Sequence, residues 1–281
     1  MTQQLGFAGM PRRLYSAAPT RLTSFLDCPR RYRMTYLDRP SPPKGPPWAH
    51  NSVGAAVHSA LAAWWKLPVA ARTVPNAGRL LEDCWLGEGF RDQAQAARHR
   101  LRAREMVERY VGEVDPTDEP VGVERVVALR TERTALWGRV DRIDDRVDGL
   151  VVVDYKTGRH PPSEEDARTS LAMAVYAAAA SRTLRRPCRR VELHHLPSGE
   201  VAGWEHTEES LARQIRRADS LAADVSEVDA VYGAQLGDDR VDEVFPPRVG
   251  PICGWCDFNR TCAEGNAARA PLPSWAGLPD V

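Results

Sequence analysis

Lysine is nearly missing from this sequence: of 38 basic residues in 281, only Lys44, Lys66 and Lys156 are lysines. Net charge is missing too, since 38 acidic residues balance the basic ones, so any polyanionic partner would have to be met by a local patch. No run approaches the ~20 apolar residues of a membrane-spanning helix, which excludes that class of membrane protein. The opening MTQQLGFAGMPRRLYSAAP has no apolar core of the secretory kind, so a cytoplasmic location is the expectation. There is no GxxxxGK[ST] phosphate loop, which argues against a nucleotide-driven motor of that kind, and no internal repeat, which argues against a solenoid. What is present is ordinary for a soluble globular chain, with 43% hydrophobic and 27% charged residues and length for one large domain or two small ones.

In a chain that otherwise prefers arginine, Lys156 stands out. Lysine can shift its pKa and presents a compact charge, which arginine cannot do, although a few lysines must fall somewhere by chance. The arginines crowd twice: Arg12, Arg13, Arg21, Arg30, Arg31, Arg33 and Arg39, then Arg182, Arg185, Arg186, Arg189 and Arg190. Either cluster reads as a phosphate-binding surface or as a solvated face. Six cysteines are present, and in a cytoplasmic chain the clustered ones favour metal binding over disulfides.

Along the chain, Pro19 to Asp38 reads as one helix with Leu22, Phe25, Leu26 and Tyr32 on its apolar face, followed by a proline-rich exposed loop. A second helix is expected from about Ser52 to Lys66, with Val53, Val57, Ala60, Leu61 and Trp64 at helical spacing and His58 beside that stripe. Leu80 to Val114 reads as one or two more helices. VGVERVVALR, ALWGRVDRID and GLVVVDYK then read as an antiparallel meander. A helix over 170–184 follows, then a strand pair RRVELHHL and EVAGWEH, then a helix opened by Thr207. Residues 225–250 are ambiguous, and the tail from Ala267 reads as loose. The predicted class is mixed α/β, a sheet flanked by helices with a helical N-terminal part and a cysteine-bearing C-terminal segment.

The chemistry centres on two β-runs. Asp154 and Lys156 are two apart on one strand and so share a face, and Asp141 can lie across from them on the next strand. Two carboxylates suit a hard cation such as Mg²⁺ or Mn²⁺, and a lysine beside them can serve an attacking water. A surface ion pair in a β-meander is the plainer reading of D-x-K alone.

The strings GRVDRID and DYKTG resemble two motifs of the RecB-type nucleases of the PD-(D/E)XK superfamily, and GAAVHSAL resembles that family's helical histidine motif. APTRLTSFLDCPRRYRMTY and CGWCDFNRTC resemble its two cluster-cysteine segments. The matches run in the family's order from about 14 to 262, a layout shared by the single-domain exonucleases of CRISPR systems and the nuclease domain of AddB. The resemblance implies a restriction-endonuclease-like core in a single domain over 14–265, with flexible termini at 1–13 and 266–281. It implies that His58, Asp141, Asp154 and the Tyr155 carbonyl bind Mg²⁺ or Mn²⁺, that Lys156 serves the water, and that Glu124 matches a further acid. It also implies DNA, single-stranded, as partner, with a separate helicase where unwinding is needed. Tyr176, Arg30 and Arg31 are the candidate strand contacts. One departure is that position 172, where the family often has Gln, is Ala. A DNA-binding module that does not cut is the alternative.

Cys253-x2-Cys256-x5-Cys262 with Cys28 far upstream supplies four thiolates, which by spacing suit either a [4Fe–4S] cluster or a structural zinc. The resemblance implies the iron–sulfur cluster, clasping both ends of the domain. CGWC is also a C-x-x-C, but it lacks the strand-to-helix setting of a thioredoxin-type redox site. Cys84 and Cys188 read as ordinary cysteines.

Overall fold

A computed structural model describes residues 14–234 and 238–278. Arg12 and Arg13, and the N-terminal segment expected to be flexible, lie outside the described residues. The elements are, in chain order, β1 (Tyr15–Ala17), α1 (Pro19–Asp27), α2 (Pro29–Tyr36), α3 (Ala49–Trp65), α4 (Val74–Cys84), α5 (Gln93–Glu113), β2 (Gly122–Arg130), β3 (Thr134–Arg146) and β4 (Gly149–Lys156). There follow α6 (Glu164–Thr169), α7 (Leu171–Leu184), β5 (Cys188–His195), β6 (Glu200–Glu205), α8 (Glu208–Gly233), α9 (Asp238–Val244) and α10 (Ala263–Ala268).

The six strands form one mixed sheet in the order β1-β3-β4-β5-β6, with β2 on the other edge of β3. The meander β2-β3-β4 is antiparallel as expected. β5 then joins β4 in parallel, and the crossover that a parallel pair requires is carried by α6 and α7. Val151, Val152 and Val153 are all buried because helices cover both faces of β4. On one face Val151, Val153 and Tyr155 pack with Val57, Leu61, Trp64 and Trp65 of α3 and with α4 and α5. On the other, Val152, Ile143, Val140 and Val191 pack with Met173 and Ala177 of α7. A third cluster joins Leu22 and Tyr32 to Leu136, Leu221 and Phe245. Each fully buried Val or Leu contributes roughly 1.5–3 kcal/mol by leaving water.

Three expectations change. The helix read over 19–38 is two helices, because Cys28 precedes Pro29 and takes an extended backbone (φ −164°, ψ 111°) where the proline ring disfavours the helical one. Strand β1, unforeseen, pairs with β3 in parallel at residues 134–136. The tail expected to be loose is held as far as it is described: Ser274 is buried, its carbonyl accepts from the Ala49 amide at 3.0 Å, and its hydroxyl donates to the Gly89 carbonyl at 2.7 Å. Residues 225–233 continue α8, whose first turn is capped by Thr207 as expected.

Candidate active site and thiol pocket

The edge of β3 facing β4 is not continuously paired. It carries β1 at 134–136 and β4 at 142–146, while the stretch between them has its ladder with β2 alone. The β3–β4 ladder ends at Arg142↔Val153, whereas β4 goes on pairing with β5 through Lys156. The two strands therefore fork, and Asp141 and Asp154 stand one residue past the last rung. Asp141 fills the fork, its Oδ2 accepting from the Tyr155 amide at 2.8 Å.

Helix α3 brings His58 to this fork. Gly54, one turn earlier, lets the helix close on the end of β4: a Cβ there would sit 3.3 Å from Thr157 Oγ1. His58 Nδ1 lies 3.3 Å from Asp141 Oδ1, and its Nε2 is 3.0 Å from the Tyr155 carbonyl oxygen. Glu124 arrives from β2 on a left-handed backbone (φ 49°), an unusual state for a non-glycine residue and one found at functional sites. Its carboxylate pairs with Arg139 at 2.9 Å. Ligand atoms of His58, Glu124 and Asp141 all lie within 4.8 Å of one another.

Asp154 and Lys156 project together, with Nζ 2.7 Å from Asp154 Oδ2 in an ion pair rather than an aligned hydrogen bond. Burial raises the Asp154 carboxyl, and the Asp141 charge adds to this; Lys156 and His58 oppose it without cancelling it. Burial disfavours a charged His58, but its bond to Asp141 and the charges of Asp141 and Asp154 outweigh burial and raise its pKa. Tyr176 closes the α7 side, its phenol raised by burial and by both aspartates. The donor set fits a hard divalent cation: clustered carboxylate oxygens, one imidazole, and a buried carboxylate whose ionisation is disfavoured until a positive charge offsets it.

The Tyr155 side chain is buried against α3 and α5. Its hydroxyl accepts from Trp65 Nε1 at 3.1 Å, beside the buried Arg142 guanidinium, which also reaches Tyr110 at 3.0 Å. Tyr110 continues to His194, and His194 to Glu192. These contacts tie α3, α5 and β5 to the strand that carries Asp154 and Lys156.

A cleft of about 1630 Å³ opens over the fork and includes His58, Glu124, Asp141, Asp154, Lys156 and Tyr176 in its lining. Arg30 and Arg31 are not brought to it. Arg30 is buried and pairs with Asp242 and Glu264, and Arg31 pairs with Asp27. Others of the two arginine clusters are likewise engaged in ion pairs within the chain, as in Arg21–Asp229, Arg186–Asp145 and Arg190–Glu192. The cations lining the cleft besides Lys156 are Lys66, Arg102, Arg109, Arg139 and Arg159, which the sequence reading did not single out. The spacing of Arg102, Glu105, Met106 and Arg109 on one face of α5 was the available signal.

The four clustered cysteines line a second, smaller pocket together. Cys28 Sγ faces the amides of Arg31 (3.5 Å) and Arg248 (3.4 Å), and Cys253 Sγ faces that of Gly250 (3.5 Å). Gly265 leaves room there, since a Cβ would stand 3.3 Å from Cys262 Sγ and 3.6 Å from Cys253 Sγ. CGWC begins in a short 3₁₀ turn over Pro251–Trp255 rather than between a strand and a helix, and burial pushes the Cys256 thiol up.

A family model described as "PD-(D/E)XK nuclease superfamily" matches residues 16–263. Among solved structures, the chain is similar to a protein from Eubacterium rectale described as "Putative exonuclease", with 9% identity, 84% of this chain and 89% of that one covered, and a TM-score of 0.46. It is also similar to SSO0001, with 12% identity, 92% and 90% covered, and a TM-score of 0.36. No curated protein matches the sequence.

Proposed function

Because the chain belongs to the PD-(D/E)XK nuclease superfamily, we propose that it hydrolyses phosphodiester bonds of single-stranded DNA from an end, as an Mg²⁺- or Mn²⁺-dependent exonuclease of repair or recombination. The observation that carries the hydrolytic reading is the fork itself, where His58, Glu124 and Asp141 converge and Asp154 and Lys156 stand alongside. The single-stranded and exonucleolytic parts rest on the resemblance to RecB-type nucleases. In this reading 14–265 forms one nuclease domain in the cytoplasm, and a separate helicase supplies unwound strand.

His58, Asp141, Asp154 and the Tyr155 carbonyl, with Glu124, would hold the cation. When bound, it supplies Lewis-acid stabilisation of charge on the phosphate and makes water easier to ionise. The chain's own residues do the rest. Lys156, anchored on Asp154, offers Nζ protons to orient the attacking water or a phosphate oxygen. Asp141, fixed by the Tyr155 amide, keeps the β3 and β4 carboxylates in register. The cations of the cleft lining hold the strand by its phosphates.

The four-thiol pocket is proposed to hold a [4Fe–4S] cluster. A tetrahedral zinc with bonds of about 2.3 Å would bring its sulfurs to about 3.8 Å from one another. Among the described residues, the ligand group of three or more gathered within 4.8 Å is the one at the fork, so the wider spacing of the thiols supports the cluster over a single zinc. The amides facing Cys28 and Cys253 suit thiolate ligands. A brown preparation with broad visible absorbance, lost in Cys28→Ser, is the expected sign; a colourless, zinc-loaded protein would overturn it.

End-labelled single-stranded DNA with Mn²⁺ or Mg²⁺ tests the reaction, comparing oxygen-protected wild type with Asp154→Ala. Cutting that disappears in the variant is expected. No cutting by cluster-loaded wild type would move the reading to a DNA-binding module, for which Ala172 in place of the family's Gln is the specific support.

A further inference from the structure

Helices cover most of the sheet, yet a corner of β2 and β3 beside the cleft is open. Val126 is 59% exposed and Trp137 44% exposed, and both line the cleft. Trp137 sits across from Ala128, and Arg139 across from Val126. Trp137 and Arg139 are two apart on β3 and share its face, as do Val126 and Ala128 on β2. The result is an exposed, largely apolar patch with an indole at one side and, at the other, the Arg139 guanidinium, paired with Glu124. Trp137 lies four residues before Asp141, roughly 13 Å along the strand.

We propose that Trp137, backed by Ala128 and Val126 and flanked by Arg139, is a stacking platform that receives the bases of single-stranded DNA next to the cut site. This deepens the nuclease reading above and rests on it. The occupant is argued from continuity and charge. The platform runs into the lining that holds Glu124 and Asp141, and the same lining carries Lys66, Arg102, Arg139 and Arg159. A single strand offers both partners at once, a π-face to the indole and phosphates to the cations. A duplex keeps its base faces stacked and offers only phosphates and groove edges.

The test is binding without cutting. Fluorescence anisotropy in EDTA would compare a labelled oligo-dT with an abasic strand of equal phosphate count, for wild type, Trp137→Ala and Trp137→Phe. Wild type should prefer oligo-dT by roughly tenfold, the scale of one base–aromatic stack. Trp137→Ala should lose most of that preference while keeping its salt dependence, and Trp137→Phe should keep most of it. Wild type that binds both strands equally overturns the platform without any variant. So does Trp137→Ala that binds oligo-dT as tightly as wild type. In either case persistent Asp154-dependent cutting shows that only the platform has failed. Absence of both binding and cutting sinks the nuclease reading with it.

Discussion

Gly138, which opens GRVD, is a position where one methyl group should matter. A Cβ there would stand 2.2 Å from Tyr176 Cε1 and 3.0 Å from its Cδ1 and Cζ. Carbon atoms rest about 3.5–4.0 Å apart, so in Gly138→Ala the ring must move by roughly 1.5 Å. It cannot move inward, because Met173 and Ala177 on the same helix are buried against the sheet. It has to swing toward the cleft, over Asp141 and Asp154. Overpacking of this kind costs roughly 1–3 kcal/mol. Relief from glycine's flexibility in a strand returns about 0.5–1 kcal/mol. Urea unfolding of Gly138→Ala, Tyr176→Ala and the double variant resolves the two contributions. The expected result is a net loss in the wild-type background and a neutral or slightly stabilising effect once the ring is gone. Equal effects in both backgrounds, or a stabilising Gly138→Ala in the wild type, would refute the close-contact explanation.

Two further outcomes follow from the same geometry. Glu124→Gln should weaken Mn²⁺ binding, read by EPR titration, by roughly tenfold or more, the scale at which even outer partners of a metal site act; unchanged binding would remove Glu124 from the site. Glu192 is buried, which alone would raise its carboxyl, but hydrogen bonds from His194, Arg146 and Arg190 outweigh burial and hold it well below the usual carboxylate range. Its stabilisation is therefore complete above the unfolded value of about 4.3 and is lost as pH falls from there through the folded value. Glu192→Gln should be clearly less stable than wild type at pH 7, by roughly 1.5–3 kcal/mol since Arg146 and Arg190 remain solvated, with the gap narrowing at pH 3; a gap independent of pH would contradict this.

Much of the site could be read from strand arithmetic. The two-residue period put Asp154 and Lys156 on one face, and the adjacency of the two β-runs put Asp141 within reach. His58 entered through the resemblance alone, since a histidine beside an apolar helical stripe is unremarkable by itself. Glu124 was the loosest assignment because its place depends on a left-handed backbone that no local pattern announces. The fork between β3 and β4 was not legible either, since where a ladder stops depends on β1 and β5 competing for the two strands. The direction of Arg30 was not legible for a related reason: a cluster of arginines gives charge but not direction, and acids from α9 and from beside Cys262 turn Arg30 inward. The break at Cys28, by contrast, was available from the proline that follows it.

The thiol pocket also imposes an order in time. Its first cysteine is made early in synthesis and its last only at residue 262, whereas the fork is complete once β5 has been made. The fork residues can therefore assemble while Cys28 still waits for the other three cysteines. A chain halted between β6 and Cys253 would hold every residue of the fork and only the first of the pocket's four cysteines.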